Sequence, residues 1–576
     1  MFGARRKQQR EHRAKAFKKP VPVPELRRAG AHEGRNARVQ QTGGIPAGLV
    51  NSLAAFKEQF KHANDFVARE IVIGPPPGTD AALLFIEGLA QKMEISENIL
   101  ENAMLLGRIA QPPVAGAGEE LLDLLEKRYL SFALTTRVTR FEDAVIELLR
   151  GDSVLLVDGA PAALRFDTKG WEHRSVSEPE TEAVIRGPRD GFIEVMRVNV
   201  AHIRRRLRTP DLAVKQMRMG RRTQTDVSIL YLVDVADNYV VEEVQRRLTG
   251  IEIDSVLESG YISMLFSDDV LSPFPLVERT ERPDKVAASI LEGRVAIVVD
   301  NSPFVLIVPT SFWTFFQASE DYYENAYLSS FLRLLRFSSL ASTTFGTAAY
   351  VALTTFHQEV VPFGLLLRIV GTHEGIPFPT LPTAILLELV IEVLREAGIR
   401  LPSPVGQAVS IVGAIIIGEA AVSAGFAPPG MVIVVAFATI ASFTIPGYNM
   451  SIPLRLLRFI MLLAAGTLGL FGLGAAAMMV LIHVAGLKSF GYPYLSLYDV
   501  GTMHEMRDKI ITTPVQFRSA KRPRWSKENL VRQGATGGEP PEPRVPRPHK
   551  AEHKTESEKG DDGSTSPDTT GKRSED

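Results

Sequence analysis

The sequence of 576 residues contains no cysteine, which excludes disulfides, thiolate metal sites and a cysteine nucleophile. It also lacks three common catalytic motifs: the phosphate-binding Gly-x-x-x-x-Gly-Lys-Ser/Thr loop, the zinc-binding His-Glu-x-x-His pair and the Gly-x-Ser-x-Gly nucleophile turn. We therefore predict no catalytic residue, no metal site and no cofactor, and a protein that is not an enzyme.

The formal net charge of −1 conceals a strong segregation of charge along the chain. The first forty residues carry twelve Lys or Arg against three Glu, with no apolar run of signal-peptide length after them. This tail is predicted to be disordered and solvated, or attracted to anionic lipid; without interleaved aromatic residues it gives little support for nucleic-acid binding. The positive charge also predicts that the N-terminal region is cytosolic.

Long apolar stretches dominate the region from 331 to 487. Four of them approach or exceed the roughly 20 residues that a helix needs to cross a bilayer: 337–356, 405–426, 428–446 and 459–482. Only the second contains a charge, at Glu419. The sequence therefore predicts a polytopic α-helical membrane domain at 326–490, with four or five helices.

The number of crossings stays open because two signals conflict. Arginines precede two apolar runs, at Arg333 and Arg336 and at Arg455 and Arg458, and we expect them to extend to the lipid headgroups. If both pairs lie on the cytosolic side, residues 384–395 must form a further crossing. The last helix would then end outside the cell, unless the glycine-rich segment 466–474 folds back.

The rest of the chain is predicted as an α+β cytosolic region of two subdomains, with a tail at either end. The predicted divisions are a basic tail at 1–48, an α/β subdomain at 49–150, an α+β subdomain at 151–325 and a largely disordered segment at 491–576. Residues 151–161 and 293–303 have similar sequences, each typical of a β-hairpin. Whether they mark an internal repeat is left open.

Two clusters in this cytosolic region have alternative interpretations. Arg204, Arg205 and Arg206 end a predicted helix, where cations favour the helix dipole, so they are either a solvated helix end or a contact for lipid headgroups or an acidic partner. The aromatic residues at 313–327 are either an interfacial belt beside the first crossing or the closing core of the soluble region.

Polar side chains recur at helical spacing inside the apolar third. One stripe consists of Ser339, Thr343, Thr347, Tyr350 and Thr354. Hydroxyl groups in such a stripe either bond back to their own helix and allow close packing, or line a hydrated pathway.

Carboxylates inside the same region are more diagnostic, because a charged group in lipid costs about 2.5–3.5 kcal/mol on insertion scales. Glu388 and Glu392 are one turn apart on a short apolar helix, and Arg395 is close enough in sequence to pair with Glu392. Glu419 has no cation near it in the sequence. We expect all three carboxylates to face protein or water.

Between residues 140 and 500 the amino-acid sequence resembles that of one protein family. Glu-Pro-Glu-Thr-Glu at 178–182 and Arg-Gly-Pro-Arg-Asp-Gly-Phe-Ile-Glu at 186–194 carry the resemblance, together with matching segments at 203–206, 272–275, 280–284, 320–323, 377–379, 394–402 and 411–414. The chain resembles the A subunit of GerA-type spore germinant receptors, a family that includes the stage V sporulation paralogue.

The resemblance implies an oligomeric integral protein of the inner spore membrane that releases ions when germinant binds. Its implied partners are a transporter-like B subunit, which senses the nutrient, and a lipoprotein C subunit. Family members usually carry an acidic residue where this sequence has Thr383, and a glycine where it has Asn301. The threonine puts a ring of carboxylates at the mouth of the Glu388 helix in doubt.

Two functions are therefore predicted as alternatives. In the first, the chain is an ion-conducting subunit that couples nutrient sensing to ion release, and its ion pathway is lined by Thr343, Thr347, Glu388, Glu392 and Glu419. In the second, it is a non-conducting membrane scaffold that clusters the receptor subunits. A solute transporter fits less well, since paired interrupted helices in inverted halves are not evident.

Overall fold

The computed structural model describes residues 43–74, 78–101, 118–126, 135–170, 178–179, 181–401, 418–495, 511–512 and 526. Most of the two predicted tails, and residues 405–417 of the predicted helix at 405–426, lie outside these residues.

The first α+β unit is built on a five-stranded antiparallel sheet of order β1-β2-β4-β5-β3. Its elements are α1 (Leu49–Gln59), β1 (Phe66–Ile73), β2 (Thr79–Ile86), α2 (Lys92–Glu94, continued by a π-helical turn at Ile95–Leu100), α3 (Gly118–Leu124), β3 (Thr135–Val138), α4 (Phe141–Arg150), β4 (Ser153–Val157) and β5 (Ala163–Phe166). Successive side chains of β2 point to opposite faces, so Ala82 and Leu84 enter one apolar cluster and Ala81 and Leu83 another. Both faces of the sheet are therefore covered.

The second unit repeats this plan with a sheet of order β6-β7-β9-β10-β8. Its elements are α5 (Met196–Arg206), β6 (Leu212–Met219), β7 (Thr225–Leu232), α6 (Asn238–Thr249), α7 (Ser259–Phe266), β8 (Glu278–Thr280), α8 (Pro283–Leu291), β9 (Val295–Val299) and β10 (Val305–Val308). The alternation recurs in β9, where Val295, Ile297 and Val299 face one cluster and Ala296 and Val298 the other.

The two units share more than strand order. In each, a helix precedes the central hairpin, and the aspartate that follows the hairpin's first strand caps the helix that opens the unit. Asp158 accepts the Leu49 amide of α1 at 2.8 Å, and Asp300 accepts the Met196 amide of α5 at 3.0 Å. The matching sequences at 151–161 and 293–303 thus mark a structural internal repeat.

The described residues between 326 and 486 form a helical bundle. Short 3-10 turns at Phe312–Phe316 and Ser319–Tyr322 lead into α9 (Ala326–Thr355). A further turn at Gln358–Val360 is followed by α10 (Phe363–His373), α11 (Thr380–Arg400), α12 (Pro429–Ser442) and α13 (Tyr448–Gly486). Phe315 and Phe316 of the aromatic cluster lie in the core beside the bundle, whereas Tyr327 is exposed at the start of α9.

The long element α13 folds back on itself. A straight helix of 39 residues would extend about 58 Å, yet Met450 near its start and Val484 near its end belong to one apolar cluster. The reversal lies at Gly469, whose φ of 63° and ψ of −144° break the helix. A Cβ atom on Gly472 would collide with the Ala464 carbonyl oxygen. The glycine-rich segment is therefore the turn of a helical hairpin, the case that the sequence left open.

After α13 the chain returns to the second α+β unit. A short hairpin of β11 (Lys488–Ser489) and β12 (Tyr492–Pro493) docks there, with the Tyr492 hydroxyl donating to Asp237 at 2.9 Å. Ser489 accepts the Thr310 amide at 3.0 Å. Both ends of the bundle therefore meet the same side of the α+β region.

Among the described residues, the element Tyr448–Gly486, which contains the α13 hairpin, is long and apolar enough to cross a membrane, while α10 and α12 are shorter apolar helices. The predicted crossing at 337–356 coincides with α9 up to Thr355. The predicted run at 428–446 contains α12, and 459–482 lies within the α13 hairpin.

Candidate functional site

A set of charged and hydroxyl side chains meets inside the helical bundle, where α9, α11 and α13 pack together. We call it the bundle network: Thr347, Glu388, Glu392, Arg395, Arg455 and Arg458. Helical spacing positions its members, because residues three or four apart lie on one face of a helix. Glu388 and Glu392 are four apart, and Arg455 and Arg458 are three apart.

Glu388 is the buried centre of this network. Its Oε2 pairs with Nη1 of Arg458, and its Oε1 accepts the Thr347 hydroxyl at 2.8 Å. Glu388, Thr347 and Arg458 are all buried. Both carboxylate oxygens are thus occupied by donors, as a buried charge requires.

Glu392 lies one turn further along α11 and reaches the surface, with 39% of its side chain exposed. It pairs with Arg455 of α13, and Arg395 lies 3.6 Å away on its own helix. Arg395 also donates to the Ser442 hydroxyl at 3.1 Å, which connects the network to the end of α12. The pairing of Glu392 with Arg395, which the sequence suggested, is therefore present, but Glu392 also has a second partner, Arg455.

The bundle network carries a surplus of positive charge, since three guanidinium groups face two carboxylates. Within the described part of the chain, Nε and Nη2 of Arg458 are buried without a hydrogen-bond partner. In this arrangement neither carboxylate is free to attract a cation, because each is already paired.

The predicted hydroxyl stripe on α9 divides between the two interpretations. Thr347 joins the network, and the buried Thr343 donates to the Ala438 carbonyl of α12 at 3.2 Å. Thr354 instead bonds back to the Tyr350 carbonyl of its own helix at 2.8 Å. Thr343 and Thr347 thus join neighbouring helices, whereas the Thr354 hydroxyl is satisfied within α9.

Glu419 does not belong to the bundle network. It is exposed on the helical segment before α12, and no hydrogen bond or ion pair between described residues joins it to Glu388 or Glu392. Thr383, where the family resemblance implies an acidic residue, is buried, and its hydroxyl donates to the Pro379 carbonyl at 3.0 Å.

A second charged cluster connects α9 to the α+β region, and we call it the joint: Asp321, Arg333 and Arg336. The Asp321 carboxylate accepts Nε of Arg333 at 2.9 Å and Nη1 of Arg336 at 2.7 Å. Its side chain is fully buried, and both arginines are buried with it. The expectation that these arginines extend to lipid headgroups is wrong. Their counter-charge is Asp321, which precedes the apolar stretch in the sequence.

Two of the three consecutive arginines of α5, Arg204 and Arg206, are paired with aspartates rather than left solvated at the helix end. Arg204 is buried and forms a bidentate pair with Asp65 at 2.6 and 2.7 Å, which joins the second α+β unit to the first. Arg206 pairs with Asp190 at 2.5 Å. The sequence did not identify Asp65 and Asp321 as partners of these arginines. The one available signal was that each arginine cluster needs a carboxylate from elsewhere in the chain.

Ionised groups also fill the face of the second unit near the joint. Burial alone would raise the pKa of Glu278, but Lys285 at 2.9 Å and Arg294 at 2.6 Å lower it to about 2. Burial, together with the neighbouring Asp284, raises the pKa of Tyr323 to about 12. A cavity of about 340 Å³ lies beside these groups, bounded by Lys285, Arg336 and the end of α12.

Comparison with known proteins identifies the family. A family model described as Bacillus/Clostridium GerA spore germination protein matches residues 54–525. The chain belongs to the GerA family. The predicted resemblance to spore germinant receptor A subunits is confirmed.

Two relatives from Bacillus subtilis (strain 168) illustrate the extent of the similarity. Spore germination protein KA is 40% identical over 504 residues, covering 87% of this GerA-family chain and 91% of the relative. A protein named uncharacterized membrane protein YfkQ is 40% identical over 451 residues, covering 78% and 86%. The crystal structure of the N-terminal domain of the A subunit of the Bacillus megaterium spore germinant receptor GerK3 is 33% identical, with a TM-score of 0.36, over 47% of this chain and 99% of that one.

Proposed function

We propose that the chain is the A subunit of a spore germinant receptor, a non-enzymatic, oligomeric membrane protein that couples nutrient sensing to ion release. A transporter-like B subunit senses the nutrient and a lipoprotein C subunit completes the complex. Membership of the GerA family supports the role in spore germination, and the name of one relative supports a membrane location.

The observation that carries the proposal is the inverted polarity of the bundle. Arg333, Thr347 and Glu388 are buried in the bundle. The outward residues of the bundle helices α9, α11, α12 and α13 include many that are large and apolar: Leu334, Leu389, Ile433, Phe437, Ile440, Leu463, Phe471 and Ile482. Soluble helices have the opposite arrangement. Lipid outside and paired polar groups inside are the arrangement that a bilayer favours.

The course of the helices supports a polytopic topology. α9 leaves the α+β region at the joint. The chain after α12 lies beside Arg336 of the joint, and Arg395 near the end of α11 meets Ser442 at the end of α12. Both α11 and α12 therefore run back toward the α+β region. Residues 402–417, between the end of α11 and the helical segment before α12, lie outside the described part of the chain. The α13 hairpin leaves and returns. The α+β region and the hairpin of β11 and β12 then share one side, which we assign to the cytosol.

In the proposed mechanism this structure is the non-conducting state, in which the bundle network leaves no carboxylate available to an ion. Because Arg458 and Thr347 occupy Glu388, an ion can use this carboxylate only after the pair separates. Germinant binding by the B subunit would favour an open arrangement of the oligomer in which Thr343, Thr347, Glu388, Glu392 and Glu419 line the ion pathway. The joint would transmit the change, since Asp321 fixes α9 to the α+β region.

Spores carrying single substitutions test this mechanism. Glu388→Gln keeps the shape of the side chain and removes the charge that holds Arg458, so potassium release after germinant addition should change in rate or extent. Glu419→Gln tests the exposed carboxylate separately, and Glu374→Gln, at the end of α10, is the matched control. Unchanged release by both test variants, with protein levels equal by immunoblot, would remove these residues from the mechanism.

The second candidate, a non-conducting scaffold that clusters receptor subunits, is supported by the saturation of Glu388. All its oxygens are bonded within one chain, as a purely structural network would require. Purified protein in liposomes separates the two functions. Ion conductance supports the ion-releasing subunit, and silence despite verified oligomers supports the scaffold.

A further inference from the structure

The loop between α7 and β8 carries two apolar side chains at its tip. Val270 and Leu271 are exposed, and Leu271 is 95% accessible, the highest exposed fraction among the large apolar residues described. The Leu271 amide donates to Asp269 Oδ1 at 3.0 Å, so the turn that presents the pair is fixed by a hydrogen bond. An exposed apolar pair indicates a contact surface where it belongs to a larger contiguous apolar patch.

The base of this loop is fastened on both sides. Asp268 accepts Nη2 of Arg247 and the Phe490 amide, each at 2.6 Å. On the other side, the Ser272 hydroxyl lies 3.0 Å from Nε2 of His483, in the last turns of α13. Phe274 then joins the apolar cluster that contains Val484. The tip is therefore held beside the end of α13.

The apolar surface continues from the loop onto α13. Met478, Met479 and Ile482, all within about a turn and a half of His483, are exposed on the returning half of the hairpin. If these side chains face acyl chains, as the proposed function requires, the neighbouring tip lies at the depth where the bilayer meets water. A surface continuous with a lipid-facing helix favours lipid over a protein partner.

The charges beside the tip are compatible with this location. Asp268 is compensated by Arg247, and Asp269 is engaged by the backbone. Lys488, exposed where α13 ends, adds a cation at the same level, which suits anionic headgroups.

We propose that Val270 and Leu271 insert into the cytosolic interface of the membrane, so that the second α+β unit is held against the bilayer by a lipid contact. The proposal rests on the membrane location of the bundle. It assigns to the α7–β8 loop a role as an interfacial anchor, which fixes the height and tilt of the unit above the membrane.

The absence of native cysteine makes the test direct, because a single introduced cysteine can be labelled in the full-length chain. Leu271→Cys, Leu463→Cys and Val50→Cys, each labelled with a nitroxide, are reconstituted in vesicles of phosphatidylethanolamine and phosphatidylglycerol. Collision with oxygen and with a water-soluble nickel chelate is measured by power-saturation EPR. Leu463 is exposed on the first half of α13, and Val50 is exposed on α1.

We expect oxygen to be the better relaxant at positions 463 and 271, and the nickel chelate at position 50. A lipid-exposed label at 463 with an aqueous label at 271 overturns the anchor and leaves the membrane bundle standing. Aqueous labels at both positions contradict the proposed function itself. A label at 271 shielded from both reagents identifies a protein contact, a second copy or a partner subunit, and also overturns the lipid anchor.

Discussion

The α+β region and the helical bundle bury charge in the same way but expose opposite surfaces. In the α+β region Arg204 and Asp65 form a buried pair, and the exposed side chains include charged ones such as Lys57, Glu70 and Arg218. In the bundle Arg458 and Glu388 are paired equally deeply, and the surface is apolar. Burial of an ion pair is therefore common to both regions, and the outward side chains are what distinguish the water-facing α+β region from the proposed lipid-facing bundle.

Because of this difference, different forces stabilise the two regions. Apolar clusters on both faces of each sheet supply the hydrophobic effect in the α+β region. Lipid is as apolar as leucine, so helices in a bilayer gain from close packing and polar contacts instead. The glycine turn of α13 and the bundle network are the features of the bundle that provide these.

The largest expected effect comes from breaking one side of a buried pair. Arg458→Met leaves Glu388 buried without a counter-charge, which should lower the free energy of unfolding by about 3–5 kcal/mol. The double variant Glu388→Met with Arg458→Met removes both charges and should recover most of the loss. Thermal unfolding of the purified chain in detergent micelles measures both.

The matched control lies in the other region. Arg204→Met should lose a similar amount, and Asp65→Leu with Arg204→Met should recover it. If the single and double variants of one region are equally stable, the pair in that region does not carry a buried charge, and the similarity between the regions fails.

A second prediction concerns pH and applies to the α+β region alone. The pKa of Glu278 is about 2 in the folded chain, against 4.5 for an unperturbed glutamate, so its ionised form stabilises the fold by about 3 kcal/mol at neutral pH. Because the folded pKa is the lower one, this contribution is present above pH 4.5 and is lost as the pH falls toward 2.

Denaturant unfolding of the wild-type chain and of Glu278→Gln at several pH values tests this. The difference in unfolding free energy between them should be largest near neutral pH and shrink between pH 4.5 and 2. A difference that stays constant with pH would show that Lys285 and Arg294 do not stabilise the ionised carboxylate.

The third prediction tests the surfaces directly. Phe437 on α12 and Val72 on β1 are exposed to similar extents, 62% and 58%. Phe437→Lys should destabilise membrane insertion by about 2.5 kcal/mol, because its charge enters hydrocarbon. Val72→Lys should change stability by less than about 0.5 kcal/mol, since the side chain faces water. Abundance in the membrane fraction, with folding checked by limited proteolysis, separates the two outcomes; equal tolerance would contradict a lipid-facing α12.

Local patterns predicted the elements well. The hairpins at 151–161 and 293–303 follow from an apolar strand, an aspartate-led turn with a proline and a second apolar strand, and the family resemblance follows from short, specific motifs. The sequence indicated the fold-back at Gly469 as an alternative, because without it the last helix would end outside the cell.

Long-range pairing was beyond such patterns. Asp321 and Asp65 are ordinary turn residues in the sequence, and their importance arises only when the fold brings Arg336 or Arg204 to them. The bundle network shows the same limit: the helical spacing of Glu388 and Glu392 indicated a common face, but the partners Arg455 and Arg458 come from a helix more than sixty residues away.

The smallest expected effect is the loss of the hydrogen bond from Thr347 to Glu388, with the ion pair between Glu388 and Arg458 left in place. Thr347→Val keeps the shape of the side chain and removes the donor to Glu388, which should lower stability by about 1 kcal/mol, while Thr347→Ser should retain most of it. Thr225→Val, which removes a buried bond of 2.7 Å to the Val256 carbonyl, is the matched change in the α+β region. Thermal unfolding in micelles compares them. A loss at 225 without a loss at 347 would mean that Arg458 alone satisfies Glu388, and that the hydroxyl stripe of α9 serves packing rather than the charge.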